Sequence, residues 1–264
     1  MKLGFIGCGN MASAMMQGII SNGILDAKDI IGADVYAPSR ERAQTELGIE
    51  VTESNKKVVE QVDAFVLSIK PQFYEAVIEE IKDSVKEGQL IITLAPGKTL
   101  GWLEEKFGKV VKVVRTMPNT PAMVLEGMTA ACPNAYVTEE ELELVLGILR
   151  AFGDAEVVPE KLMDAVVAVS GSSPAYVFMM IEAMADAAVA EGMPRAQAYK
   201  FAAKAVLGSA KMVLETGKQP GELKDMVCSP GGTTIEAVKV LEATGFRSSL
   251  MEAMEACAEK SRNL

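Results

Sequence analysis

The sequence predicts an α/β chain in two parts: a doubly wound, mostly parallel sheet over residues 1–160 and an all-helical part over residues 161–264. Three observations carry this. Short apolar runs alternate with helical patterns through the first part, which calls for right-handed crossovers between parallel strands. A glycine-rich turn directly follows the first apolar run. After Glu160 the strand signal stops and long, apolar-rich helical stretches take over.

Strands are expected at Leu3–Ile6, Ile30–Tyr36, Ala64–Ser68, Leu90–Leu94 and Val110–Arg115, with a further pair at Thr129–Pro133 and Ala155–Val158. The helices among them are expected at Met11–Ser21, Arg40–Glu46, Gln72–Val85, Leu100–Phe107 and Glu139–Phe152, and Asn55 is expected to open and cap another. In the second part Pro174–Glu191, Pro194–Thr216, Thr233–Glu242 and Ser248–Lys260 read as helices, with Pro194 at a helix start and Gly217 just past its end. In the helix between those two residues, Lys200, Lys204, Lys211 and Glu215 form one narrow charged stripe, and almost every other position is apolar or small. A helix so apolar is covered nearly all round. One short helical domain cannot readily bury two such helices, so a homodimer packed through this part is expected.

The formal net charge of -10 argues against nucleic acid and against an anionic membrane surface as partners. The chain holds no histidine, which removes the usual metal ligand and the usual general acid and base. No metal site is expected. The four cysteines are widely spaced and read as reduced, buried thiols of a cytoplasmic protein. The N-terminus runs straight into a strand, with no secretory signal in view. Pro174–Ala190 is the most membrane-like stretch, but Glu182 and Asp186 would each cost roughly 2.5–3.5 kcal/mol near a bilayer centre. A buried helix is the better reading. Those two carboxylates share a helix face, and cross-helix bonds or a rim position account for them more simply than catalysis does.

Gly7-Cys8-Gly9-Asn10-Met11-Ala12 is a G-x-G-x-x-A between the first strand and the first helix. Its glycines permit a tight turn and a close approach to a pyrophosphate resting on the helix start, the fingerprint of a Rossmann dinucleotide site. The second strand ends in Tyr36-Ala37-Pro38-Ser39-Arg40, with no carboxylate at its expected tip. Ser39 and Arg40 suit a 2′-phosphate, so NADPH is expected, with NADH as the weaker alternative. Asp34 would reach the ribose if that strand ended earlier, and Arg40 reads equally as a solvated residue. Lys70-Pro71 and Ala95-Pro96-Gly97 close two successive strands at the crevice edge, where backbone contact with the cofactor is expected; Lys70 reads equally as a surface lysine. Asn55 is a secondary candidate for the same ligand. Arg115–Pro121 carries two prolines and walls the same edge.

Ser229-Pro230-Gly231-Gly232-Thr233-Thr234-Ile235-Glu236 is the most informative segment of the second part. Thr233 and Glu236 have capping-box spacing. The glycine pair frees backbone N–H groups to converge on an anion such as a substrate carboxylate, beside the hydroxyls of Thr233 and Thr234.

Taken together, Gly4–Met11, Val66–Gln72, Arg115–Ala122, Ser170–Tyr176, Leu223–Thr234 and Gly245–Arg247 resemble the pyrroline-5-carboxylate reductases, across essentially the whole chain. Ala12 and Pro96 stand where glycine and alanine are common. The resemblance implies a Rossmann domain followed by a helical dimerisation domain. It implies an active site formed with the dimer's helices, and reduction of 1-pyrroline-5-carboxylate to proline by NADPH, the last step of proline biosynthesis. It gives Ser229, Gly231, Gly232, Thr233 and Thr234 to the substrate, a cyclic imino acid, with Thr234 also near the imine nitrogen as the catalytic residue. It gives Gly7, Cys8, Gly9, Asn10, Met11, Ser39, Asn55, Lys70, Pro71, Ala95 and Gly97 to the cofactor. Assemblies larger than a dimer and six-membered imine substrates stay open. A β-hydroxyacid dehydrogenase begins with a similar glycine motif but needs a lysine early in the helical part, and none occurs between Lys161 and Lys200. A non-catalytic NADPH sensor would not need the intact Ser229–Thr234 segment.

Overall fold

The computed structural model describes residues 1–94 and 96–263. In chain order the first part runs β1 (Leu3–Ile6), α1 (Asn10–Ser21), β2 (Ile30–Ala33), α2 (Ala37–Leu47), β3 (Glu50–Thr52), α3 (Asn55–Gln61), β4 (Ala64–Leu67), α4 (Tyr74–Ile81), β5 (Leu90–Thr93), α5 (Leu100–Phe107), β6 (Lys112–Met117), β7 (Gly127–Pro133), α6 (Glu139–Leu149) and β8 (Gly153–Val157). The helical part follows as α7 (Met163–Val166), α8 (Ser173–Ala190), α9 (Arg195–Thr216), α10 (Pro220–Val227), α11 (Thr233–Ala243) and α12 (Phe246–Arg262).

The sheet order is β3-β2-β1-β4-β5-β6-β7-β8, parallel throughout except where β7 runs antiparallel to β6. Residues alternate across it. Leu3, Phe5, Val66, Ile92 and Val114 face a cluster with Met15, Met16 and Ile19 of α1 and Val145 and Leu149 of α6. Ile6, Phe65, Leu67, Ile91 and Val113 face the other side, against Val58 and Val59 of α3, Ile78 and Ile81 of α4, and Leu103 and Phe107 of α5. Strands buried on both faces read as continuous apolar runs, as these do. The order reverses between β1 and β4, and ligands of such sheets sit at that switch point beyond the strands' carboxyl ends.

Several element bounds differ from expectation. β2 stops at Ala33, three residues earlier than Tyr36, and α2 begins at Ala37. Ser54, not Asn55, caps α3, its side chain accepting from the Lys57 N–H at 3.2 Å. Gly232 is the N-cap of α11, so Thr233 is its first helical residue; Glu236 pairs with Lys239 and no capping box forms. β3 and α10 were not anticipated. Nor was the single π-helical turn Val167–Gly171 after α7, in which the Ser172 N–H donates to the Val167 carbonyl at 2.8 Å. Pro174 lacks an N–H and leaves the Ser170 carbonyl without its helical donor; Asn119 Nδ2 supplies one at 3.2 Å.

Contacts divide the chain into two compact units, one built from Met1–Ser172 with the closing turns from Cys257, the other from Ser173–Ala256. In the second unit α8 and α9 pack side by side and bury little beyond Ala185, Ala198 and Ala202. Phe178, Met179, Phe201 and Leu214 are each more than 60 % exposed in the single chain. Glu160–Ala190 is apolar and long enough to cross a membrane, by length and composition alone. On α8 Asp186 is tied to Arg195 at 2.5 Å, whereas Glu182 is exposed.

At the crevice end of the sheet, the buried Tyr74 hydroxyl donates to the Leu67 carbonyl at 2.6 Å and accepts from the Leu94 N–H at 3.2 Å, joining the ends of β4 and β5. Tyr74→Phe removes both bonds and leaves the Leu67 carbonyl and the Leu94 N–H only the 3.3 Å bond between them. It should lower the unfolding free energy by about 1–2 kcal/mol in urea titration; an unchanged midpoint would show that the hydroxyl does not brace these strand ends.

Candidate active site

In the sheet unit the candidate cofactor turn is the one after β1. Gly7 has φ +98, and a Cβ there would lie 2.6 Å from the Ser68 carbonyl, so only glycine fits. Its N–H donates to the Ala33 carbonyl at 2.7 Å, and Ser68 Oγ donates to the Gly7 carbonyl at 2.7 Å. The turn is thus bolted across the switch point between β1 and β4. Gly9 is the N-cap of α1; no side chain caps that helix, and its first turn holds no acidic residue. A Cβ on Gly9 would point into open space. The helix start therefore presents unpaired N–H groups beside room for a ligand, which suits a pyrophosphate.

The tip of β2 is built differently from its sequence-based reading. With the strand ending at Ala33, Asp34 stands at the tip, where its carboxylate accepts from the Cys8 N–H at 2.8 Å and the Tyr36 N–H at 2.9 Å. Arg40 is not free: its guanidinium pairs with Glu53 and donates to the Asp34 carbonyl at 2.6 Å. Ser39 is half-buried in the first turn of α2. Arg42, two residues beyond Arg40, reaches the glycine turn instead. It donates to Asn10 Oδ1 at 3.3 Å, the Cys8 carbonyl at 3.4 Å and Ser13 Oγ at 3.5 Å, while its buried Nε has no partner among the described residues. Long bonds of this kind leave a guanidinium ready to exchange partners.

Lys70 is exposed and Pro71 half-buried at the end of β4, and Gly97 lies half-buried beyond β5 with φ +74. Ala95, expected beside them, lies outside the described residues. Asn55 is buried and donates from Nδ2 to Glu80 at 2.9 Å. Asn119, in the proline-bounded loop after β6, accepts from the Met128 N–H at 2.9 Å as well as donating to Ser170. Two features escaped the sequence reading. In the sequence Arg42 is masked by its neighbour Arg40, and Ser68 reads only as a strand residue, although a hydroxyl at a switch point is a usable signal.

The helical unit carries a candidate tip of its own. The Gly232 N–H donates to the Ser229 carbonyl at 3.0 Å, closing a turn with Pro230 and Gly231 at its centre. Gly231 has φ +68, as the third residue of a type II turn requires. A Cβ on Gly232 would meet Ser229 Oγ at 2.4 Å. The glycine pair is thereby explained: one supplies the left-handed turn, the other lets Ser229 fold over the start of α11. No side chain caps α11. Its first N–H groups, with the hydroxyls of Ser229, Thr233 and Thr234 around them, have the chemistry that suits an anion.

A glycine turn at a sheet's switch point is the mark of a nucleotide-dependent oxidoreductase, and a glycine-opened helix tip on the helical unit suits a small acid. The comparisons agree. Residues 160–264 match the family model for pyrroline-5-carboxylate reductase dimerisation, and residues 2–97 match that for coenzyme F420-dependent NADP oxidoreductases. The chain is 54% identical to the pyrroline-5-carboxylate reductase of Escherichia coli (strain K12), over 100% of this chain and 98% of that one. It is 46% identical to the enzyme of the same name from Methanosarcina acetivorans, over 100% and 97%. The Coxiella burnetii pyrroline-5-carboxylate reductase superposes with a TM-score of 0.92 at 35% identity, covering 99% of this chain and 97% of that one. The Plasmodium falciparum pyrroline carboxylate reductase with NADP bound superposes at 0.90 and 32% identity, covering 99% and 97%. The chain belongs to the pyrroline-5-carboxylate reductase family.

All four cysteines are free; Cys8 and Cys132 are buried, whereas Cys228 and Cys257 are only half-buried, contrary to the expectation of four buried thiols. Burial, with Asp34 adding to it, pushes the Cys8 thiol up to about 12, and burial also raises Cys132. Both should be silent to a thiol reagent at pH 8 in the native protein and react only on unfolding, read by mass spectrometry. Cys8 ionises more readily in the unfolded chain, so its contribution to stability falls as pH rises from 9.0 towards about 12. Native labelling of Cys8 at pH 8 would contradict this environment.

Proposed function

We propose that this protein reduces 1-pyrroline-5-carboxylate to L-proline with NADPH, the closing step of proline biosynthesis, and works as a cytoplasmic homodimer. The observation that carries the reading is the Ser229–Thr234 turn, an anion-binding helix tip with hydroxyls at its rim. Gly7–Met11 hold the pyrophosphate on α1. Ser39, Lys70, Pro71 and Gly97 lie along the same cofactor path, and Arg40 and Asn55 join it by exchanging their present partners. NADPH supplies the hydride. The chain's own task is positioning: Gly231, Gly232 and the N–H groups of α11 hold the substrate carboxylate with Ser229 and Thr233, and Thr234 Oγ orients the imine nitrogen. A protonated cyclic imine is already electrophilic, so the reaction needs held geometry more than an acid, consistent with a chain that contains no histidine.

The dimer is supported by the apolar residues that α8 and α9 leave exposed in one chain, which a second copy would cover. Free thiols fit the cytoplasm. Arg42 supplies the cation for a 2′-phosphate beside the glycine turn, while the Asp34 carboxylate keeps NADH usable by accepting from its ribose hydroxyls.

NADPH absorbance, followed with and without 1-pyrroline-5-carboxylate, tests the activity, and Thr234→Ala tests its geometry. The variant should lower kcat by about 100-fold with KM for NADPH changed less than about twofold; equal effects on both, or none, would refute the role of Thr234. Asp34→Asn keeps an acceptor for the Cys8 N–H but removes the charge. It should raise the ratio of kcat/KM for NADPH over NADH by about tenfold. A ratio left where it was would remove Asp34 from cofactor selection.

A further inference from the structure

The loop between β5 and α5 is pinned at both ends. At its start, the Leu94 N–H bonds to the Leu67 carbonyl at 3.3 Å and to Tyr74 Oη at 3.2 Å. At its end Leu100, the first residue of α5, donates its N–H to Glu160 Oε1 at 2.7 Å. That N–H belongs to a helix start and has no acceptor within the helix. The same Oε1 accepts from Arg115 Nη1 at 2.9 Å. Arg115 lies on β6, is 4% exposed, and its buried Nε has no partner among the described residues. Glu160 comes from the short helical turn after β8, far away in sequence, and its neighbours Met163, Val166 and Val167 pack with Leu100 and Met117 in a small apolar cluster.

A buried arginine costs heavily unless it is compensated, and its partner carboxylate need not also hold a loop. Here one oxygen does both. Thr99 already caps α5, accepting from the Trp102 N–H at 3.1 Å, so the Glu160 bond is not needed to begin the helix. It fixes where the helix begins relative to β6. The consequence falls on Pro96 and Gly97, strung between the two anchors with Gly97 in the left-handed region.

We propose that Glu160, held by Arg115, is a positioning residue that sets the β5–α5 loop for the cofactor, so that its loss weakens NADPH binding without touching the chemical step. This rests on the reading above that Pro96-Gly97 borders the cofactor. The chain has one tryptophan, Trp102, in the first turn of α5, which makes NADPH binding readable by fluorescence quenching apart from turnover.

Full-length protein is titrated with NADPH and assayed with 1-pyrroline-5-carboxylate. Glu160→Ala removes the acceptor and should raise both Kd and KM for NADPH about tenfold, with kcat at saturating NADPH within about twofold. It leaves Arg115 charged and without its carboxylate, and its Tm should fall. The double variant Arg115→Met with Glu160→Ala removes that charge; it should regain most of the Tm while NADPH binding stays weak. If the single variant binds NADPH as tightly as the unchanged protein, or if tight binding returns together with the Tm, Glu160 is a counter-charge only and the proposal falls. Failure of the unchanged protein to bind NADPH overturns the cofactor reading itself, a distinct result.

Discussion

The first N–H groups of a helix have no partner inside it, and a protein must cap them, hydrate them or give them a ligand. In this chain Ser54, Thr99 and Thr138 cap α3, α5 and α6 with their side chains. At α1 and α11 a glycine takes the cap position and no side chain intervenes. Both starts follow a glycine held at positive φ, Gly7 before α1 and Gly231 before α11, so the chain turns sharply and leaves the helix axis open. For a protein of net charge -10, these backbone donors are the natural means of receiving anions that its side chains would on balance repel.

The two tips are supported in different ways. The first stands on a sheet buried on both faces, and Ser68 and Asp34 fasten its turn to β4 and to the tip of β2. The second stands on helices that leave large apolar side chains uncovered in one chain. A rigid base suits a cofactor whose reacting ring must be placed within a fraction of an ångström. Helices with unmet apolar faces suit a unit that completes itself against another copy.

Much of this was legible in the sequence. β1 and α5 match their expected bounds, because an apolar run beside Gly7 and a helix closed by Gly108 carry their own punctuation. β3 was not legible: it is three residues long, it lies at the sheet edge, and Glu50-Val51-Thr52 has no apolar pattern. α10 opens with Pro220-Gly221, which reads as a loop. Thr233 and Glu236 have the spacing of a capping box, yet the turn closed by Ser229 and Gly232 claims the cap one residue earlier, which is also what frees the helix tip. A β2 drawn three residues too long puts Asp34 inside the strand and favours Arg40 as the cation; with the strand ending at Ala33, the alternative in which Asp34 stands at the tip holds. The fold instead spends Arg40 on Glu53 and brings Arg42 to the glycine turn. The bond from Glu160 to Leu100 spans sixty residues and leaves no local trace.

A crystal structure with NADP+ and L-proline bound is the most direct test of the two-tip account. It should show the pyrophosphate on the N–H groups that open α1 and the proline carboxylate on those of Thr233 and Thr234. A carboxylate seated elsewhere, with the Ser229–Thr234 turn empty and facing solvent, would contradict it.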